Sequence, residues 1–203
     1  MTVTRLVAPV VLRGRHVVLE PLAREHEAAL RDAASDGALW ELWFTSVPAP
    51  DGVTAYIEGA LAMREHHGAM PFVVRDAGDG TILGSTRFCN VEAQHRRLEI
   101  GYTWYAQRVQ RSAVNTECKL LLLAHAFEQL SCIAVEFRTN SFNFRSREAI
   151  ARLGAKQDGI LRNHMVLPDG TRRDTVVFSI LDTEWPAVKK HLQLRLARHG
   201  TRE

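Results

Sequence analysis

The residues whose types and spacing most plainly point to chemistry lie between Gln107 and Asn115. Two guanidiniums, Arg108 and Arg111, side-chain amides and the Ser112 hydroxyl stand just ahead of an apolar helical run, Thr116 to Leu130. The unpaired N–H groups at a helix N-terminus, with the positive end of the helix dipole, form a ready anion site, and a phosphate is its natural guest. The same residues equally suit a surface loop whose arginines are merely solvated. Before the loop, Leu98-Glu99-Ile100-Gly101-Tyr102-Thr103-Trp104 alternates at period two and carries aromatic and β-branched residues, so it reads as a strand with two distinct faces.

The whole chain sets the bounds on what that segment serves. With 203 residues, 46% of them hydrophobic, it can bury a sizeable core, and a single domain spanning 1–203 with a core of about residues 10–190 is expected. No apolar run approaches the ~20 residues of a membrane span, and no apolar signal region opens the chain, so a cytoplasmic protein with no membrane partner is expected. Three cysteines without a CxxC pair suggest buried thiols rather than a disulfide frame or a zinc knuckle. Nine histidines form neither H-x-x-x-H nor H-E-x-x-H, so no metal is expected. A net charge of +3 with scattered Arg and Lys gives no nucleic-acid footprint.

The elements that must position the loop follow from periodicity and punctuation. A first strand around His16 to Glu20 ends at Pro21, and an amphipathic helix runs from Ala23 to Ser35. An irregular aromatic stretch, Trp40 to Pro50, precedes a helix from Thr54 to His66. Trp40, Trp43 and Phe44 read either as core packing or as a substrate wall. Phe72 to Arg75 and Thr81 to Phe88 form a hairpin across an Asp-Gly turn. Cys132 to Thr139 alternates again, and Asn143 to Leu153 is a short helix stopped by Gly154. Ile160 to Leu167 and Thr175 to Leu181 pair across Pro168-Asp169-Gly170, and a closing helix starts near Trp185-Pro186. The result is α+β: a mostly antiparallel, seven-stranded mixed sheet flanked by helices. Its one parallel pair is joined by the helix after the loop, by the usual right-handed crossover.

In this order and with these motifs, the chain resembles the GNAT superfamily of N-acetyltransferases, most closely its RimJ/RimL-type branch, over about residues 10 to 190. Gln110-Arg111-Ser112-Ala113-Val114-Asn115 stands where that family has a Q/R-x-x-G-x-G/A loop holding the pyrophosphate of acetyl-CoA. Ala113 replaces the usual glycine, which suits a residue already helical, and Asn115 is a residue that tolerates a left-handed conformation. Asn143-Phe144-Arg145-Ser146 matches N-x-x-S, Leu153-Gly154-Ala155 the L-G-F/A ending, and Glu184-Trp185 the late E-W pair. The resemblance implies a sheet splayed between its fourth and fifth strands, with the pantetheine arm pairing to the backbone of Gly101 to Trp104. It implies coenzyme contacts from Tyr102, Thr103 and Trp104, from Gln110 to Asn115 and Thr116, and from Asn143 and Ser146. It also carries the expectation of a homodimer, since family members often pair.

Moving an acetyl group from a thioester to an amine needs a neutral amine, a polarised carbonyl and a proton for the leaving thiolate. A backbone N–H near Tyr102 or Thr103 suits the carbonyl. Glu99, just before the splay, suits the amine proton, directly or through water; otherwise it is a strand carboxylate paired with Arg96 or Arg97. Ser146 suits the sulfur, because the superfamily's usual tyrosine position is Ile150 here; otherwise its hydroxyl bonds its own helix backbone. Two functions remain open at this point. One is acetyl transfer in a ternary complex to a primary amine, either a peptide N-terminus or a small molecule. The other is a non-catalytic CoA-binding sensor or assembly module.

Overall fold

Neighbouring residues of the strands bury into different cores, and that alternation explains the layering. The computed structural model describes residues 6–199. In β3 (Met70–Asp76), Phe72 joins the core on one face of the sheet and Val73 the core on the other. In β4 (Ile82–Glu92), Leu83 and Ile82 divide in the same way. A strand buried on both faces needs helices on both sides. They are α1 (Glu27–Ser35) and α2 (Val53–His67) on one face, and α3 (Ala113–Ala124) and α5 (Trp185–His199) on the other.

The sheet runs β1-β2-β3-β4-β5-β6-β8-β7, with β1 (Leu12–Arg13), β2 (Val17–Pro21), β5 (Arg97–Tyr105), β6 (Ala134–Asn140), β7 (Lys156–Val166) and β8 (Arg172–Leu181). All neighbours are antiparallel except β5 and β6, which flank the crossover helix α3. The short helix α4 (Phe144–Ala151) follows β6. The strand count is eight rather than the expected seven, because Leu12 and Arg13 fold back onto Leu19 and Val18. Two residues are too few to show alternation in the sequence. Among the described residues no helix is long and apolar enough to cross a membrane.

Two local features shape the centre. The first is a bulge in β5. Gly101 pairs with Arg87 and Trp104 with Ser85, so β5 carries one extra residue, and Tyr102 there has φ +52°. That left-handed conformation costs a non-glycine residue roughly 1–2 kcal/mol. One extra residue reverses which face the following side chains meet. Leu98 and Ile100 lie in the α3-side core, but Trp104 lies in the α1/α2-side core and Tyr105 returns to the α3 side. The second feature is a close approach: a Cβ on Gly84 (φ +155°) would meet the Trp104 carbonyl oxygen at 2.1 Å, so β4 admits only glycine beside the bulged strand.

The crossover helix is fixed by a buried carboxylate. Glu117 of α3 accepts hydrogen bonds from the backbone N–H groups of Arg15 (2.9 Å), His16 (2.6 Å) and Val17 (2.8 Å), tying the helix to the β1–β2 turn. Replacing Glu117 with Ala leaves three amides without their acceptor, and should destabilise the fold by about 2–4 kcal/mol in urea unfolding.

Candidate functional site

Pairing between β5 and β6 stops early. Only Arg97–Ala134, Leu98–Val135 and Glu99–Glu136 are in register, after which the strands part while β5 stays paired to β4 through Tyr105. The expected splay is therefore present, at the bulge, and it leaves the β6-facing backbone edge of β5 free. A cavity of about 670 Å³ fills the gap, lined by Ile100 to Thr103 on one side and Phe137 to Asn140 on the other.

The α3 N-terminus closes one end of the cavity. Gln110, Arg111, Ser112, Asn115 and Thr116 line it. Ser112 is the N-cap: its hydroxyl accepts from the Val114 N–H (3.2 Å) and donates to the Val109 carbonyl (2.6 Å). Among the described residues the N–H groups of Arg111, Ser112 and Ala113 make no hydrogen bond. Ala113 and Asn115 both lie within the helix, and the left-handed conformation falls on Arg111 instead (φ +63°). This explains why the loop dispenses with glycine at 113 and 115. Ala113 and Val114 are buried and stand outside the lining, so their contribution is confined to backbone. Arg108 is turned away, its guanidinium bound to Asp36 at 2.6 Å.

The other end gathers the groups suited to proton transfer. Glu99 is 7% exposed, and its Oε2 accepts from Asn90 (2.7 Å) with Arg138 at 3.5 Å. Neither Arg96 nor Arg97 is its partner; Arg97 pairs with Glu136 instead. Burial raises the Glu99 pKa above the usual glutamate value, while Asn90, Arg138 and Arg173 hold it back. A Cβ on Gly101 would meet the Glu99 Oε1 at 2.7 Å, so glycine at 101 leaves the carboxylate its place at the start of the gap. Glu99 itself stands outside the lining of the main cavity. Arg138 beside it lines both the main cavity and a second one of about 570 Å³, formed with Met63, His67, Asn90, Val91 and Glu92.

On α4, Asn143 caps the helix, its Oδ1 accepting from the Ser146 N–H at 3.0 Å. Both residues line the main cavity, and among the described residues the Ser146 hydroxyl makes no hydrogen bond. Ile150 also lines it, at the position where the superfamily's tyrosine is usual.

The aromatic residues divide. Phe44 lines the cavity, and Trp43, half exposed, packs on it edge-to-face (5.6 Å between centroids) and against Phe142 (5.5 Å). Trp40 is partly buried and lies outside both linings. Trp104 also departs from expectation: the bulge turns its side chain into the α1/α2 core, edge-on to Tyr56, and it stands outside the lining of the main cavity. Several site residues escaped the sequence reading. Arg138, Asn140 and Arg145 line the cavity together with Arg173 of β8, and among the described residues the Asn140 Nδ2 and Arg173 Nε are buried without a hydrogen-bond partner. The signal for Arg138 and Asn140 lay in the alternation of β6, but a gap between strands cannot be read from either strand alone.

The arrangement fits a long, anionic, amide-bearing ligand. A free strand edge offers pairing to amides, a capped helix start offers N–H groups to phosphate, and Arg111 and Arg145 add charge at the wall.

Comparison with known proteins agrees. A family model described as an acetyltransferase (GNAT) domain matches residues 16–156. The Bacillus subtilis (strain 168) protein named "Putative ribosomal N-acetyltransferase YdaF" is 30% identical over 111 residues, which are 55% of this chain and 60% of that protein's length. A solved GCN5-related N-acetyltransferase from Brucella melitensis superposes with a TM-score of 0.83 at 30% identity, covering 94% of this chain and 86% of that one. A solved "putative acetyltransferase" from T. thermophilus gives a TM-score of 0.81 at 36% identity, covering 94% of this chain and 98% of that one.

Carbon-13 NMR of the Glu99 carboxyl should show a midpoint above the usual glutamate value. Arg138→Met should move it further up, since Arg138 favours the ionised form.

Proposed function

The chain belongs to the GNAT acetyltransferase family, and on that premise we propose that it moves the acetyl group of acetyl-CoA to a primary amine by direct attack in a ternary complex. The supporting observation is the early end of β5–β6 pairing with the free N–H groups of Arg111, Ser112 and Ala113 at one end of the gap. In this reading acetyl-CoA supplies an activated acyl group when bound. Gln110 to Thr116 hold its diphosphate, and the free edge of Gly101 to Trp104 pairs with its arm.

The remaining steps belong to the chain's own side chains and backbone. A backbone N–H at Tyr102 or Thr103 polarises the acyl oxygen, and its position is fixed before binding because the bulge is part of the sheet. Glu99 takes the amine proton through water, since its carboxylate lies behind Gly101 rather than on a cavity wall. Its raised pKa suits a base working near neutrality. The unpartnered Ser146 hydroxyl donates to the departing sulfur. The amine enters the main cavity at the rim that Phe44 lines. The name of the Bacillus subtilis relative speaks of a ribosomal acceptor, and in this reading the primary amine is a protein N-terminus. The mouth that would receive the residues behind that amine is bordered by Trp43, Phe44 and Phe142.

Thiol release from acetyl-CoA, measured against peptides of varied N-terminal residue and against small amines, tests the reading. Turnover is expected with peptides carrying a free α-amine. Glu99→Gln should lower kcat about 10²-fold and leave acetyl-CoA affinity within about twofold. A base must be ionised to act, so wild-type kcat/KM should fall as pH drops through the raised Glu99 pKa, and the Gln variant should lose that limb. Ser146→Ala should cost about tenfold in kcat. Acetyl-CoA binding without turnover of any amine, unchanged in both variants, would instead mark a non-catalytic binding protein.

A further inference from the structure

Lys119 is a buried cation that the reaction above does not use. It stands on α3, four residues after Asn115 and three after Thr116, so all three share a helix face and all three line the main cavity. The residue is 5% exposed. Its Nζ donates to the Thr103 Oγ1 at 2.6 Å, and the Thr103 and Thr86 hydroxyls share a hydrogen bond of 2.8 Å in which either can donate. Among the described residues no carboxylate pairs with it; the Glu117 carboxylate on the same helix is engaged by the β1–β2 turn. An ammonium carries three donors and this one spends a single donor on a neutral hydroxyl. A buried charge so poorly satisfied is expensive to keep unless a further acceptor arrives.

Thr103 lies directly after the bulge residue, on the free stretch of β5, and it faces α3 because the bulge reverses the alternation there. We propose that Lys119 is a coenzyme-binding residue whose ammonium, held on Thr103, donates a charge-assisted hydrogen bond to an oxygen of the acetyl-CoA arm laid along Tyr102 to Trp104. This rests on the acetyl-CoA reading above and adds to it a donor from the helix side of the gap.

The site has a consequence in pH. Burial lowers the Lys119 pKa to about 8, so the unliganded ammonium loses its proton in mildly alkaline solution. A ligand that accepts from the charged form raises that pKa, and binding then takes up a proton. The titratable groups around it leave this window clear. Cys118 on α3 is pushed up to about 12, Cys89 on β4 is pushed higher still by burial, and Tyr105 on β5 stands well above its ordinary value. The other charged side chains that line the same cavity are the arginines Arg111, Arg138, Arg145, Arg152, Arg173 and Arg195 and one carboxylate, Glu148.

Calorimetry with acetyl-CoA on the full chain, at pH about 7 and about 9.5 and in two buffers of different ionisation enthalpy, tests the assignment. Wild type is expected to lose about tenfold or more in affinity across that range and to take up protons on binding near pH 8. Lys119→Met should bind about tenfold more weakly at pH 7, with no proton uptake and no pH response. Lys119→Arg should keep the affinity without the pH response, and serves if the Met variant fails to fold. Wild-type binding that is flat with pH and takes up no proton overturns the Lys119 assignment and leaves the acetyl-CoA reading standing. So does a Met variant that binds and responds as wild type does. A wild-type chain that fails to bind acetyl-CoA at all overturns both.

Discussion

One extra residue in a central strand is the constraint on which the rest depends. Between the Gly101–Arg87 and Trp104–Ser85 pairs, β5 has one more residue than β4, and Tyr102 takes the left-handed conformation there. A bulge bends its strand and sharpens its twist, so β5 keeps β4 and gives up β6. The bend opens the cavity and frees a backbone edge at the sheet's centre. Strain of roughly 1–2 kcal/mol at Tyr102 persists because Gly84 admits the Trp104 carbonyl and the Arg87 guanidinium stacks on the Tyr102 ring at 4.1 Å. Such strain is held by its surroundings where a site needs a fixed geometry before its ligand arrives.

Around that bend the buried charges have separate tasks. Glu117 fixes α3 to the β1–β2 turn and so sets where its N-terminus meets the cavity. Glu99 lies behind Gly101, solvated by Asn90 and Arg138 rather than by bulk water, which is why its pKa rises yet stays restrained. Lys119 faces the gap from the opposite side of the sheet from α1 and α2, through Thr103. Each is a polar group whose removal from water is justified only by what it holds.

Much of this was legible in the sequence because local patterns report local structure. Alternation located the strands, the basic loop ahead of an apolar helical run located the start of α3, and the N-x-x-S match pointed to Ser146, which lines the same cavity. What escaped has a common cause. Period-two reading runs straight through Tyr102, so it cannot foresee that Trp104 turns into the α1/α2 core. Sequence neighbours are natural guesses for ion pairs, yet Glu99 is met by Arg138 from β6, and Arg108 by Asp36 from the end of α1. Lys119 shows in the sequence only as one of several polar residues in the first half of α3, because its neighbour Thr103 belongs to another element.

The central claim is that the freed edge of β5 and the start of α3 together hold the coenzyme. Hydrogen exchange followed residue by residue, with and without saturating acetyl-CoA, measures it most directly. Slowing of exchange is expected to concentrate on the amides of Gly101 to Trp104 and of Arg111 to Asn115. Slowing confined to other segments, with those amides unchanged under demonstrated saturation, would contradict it.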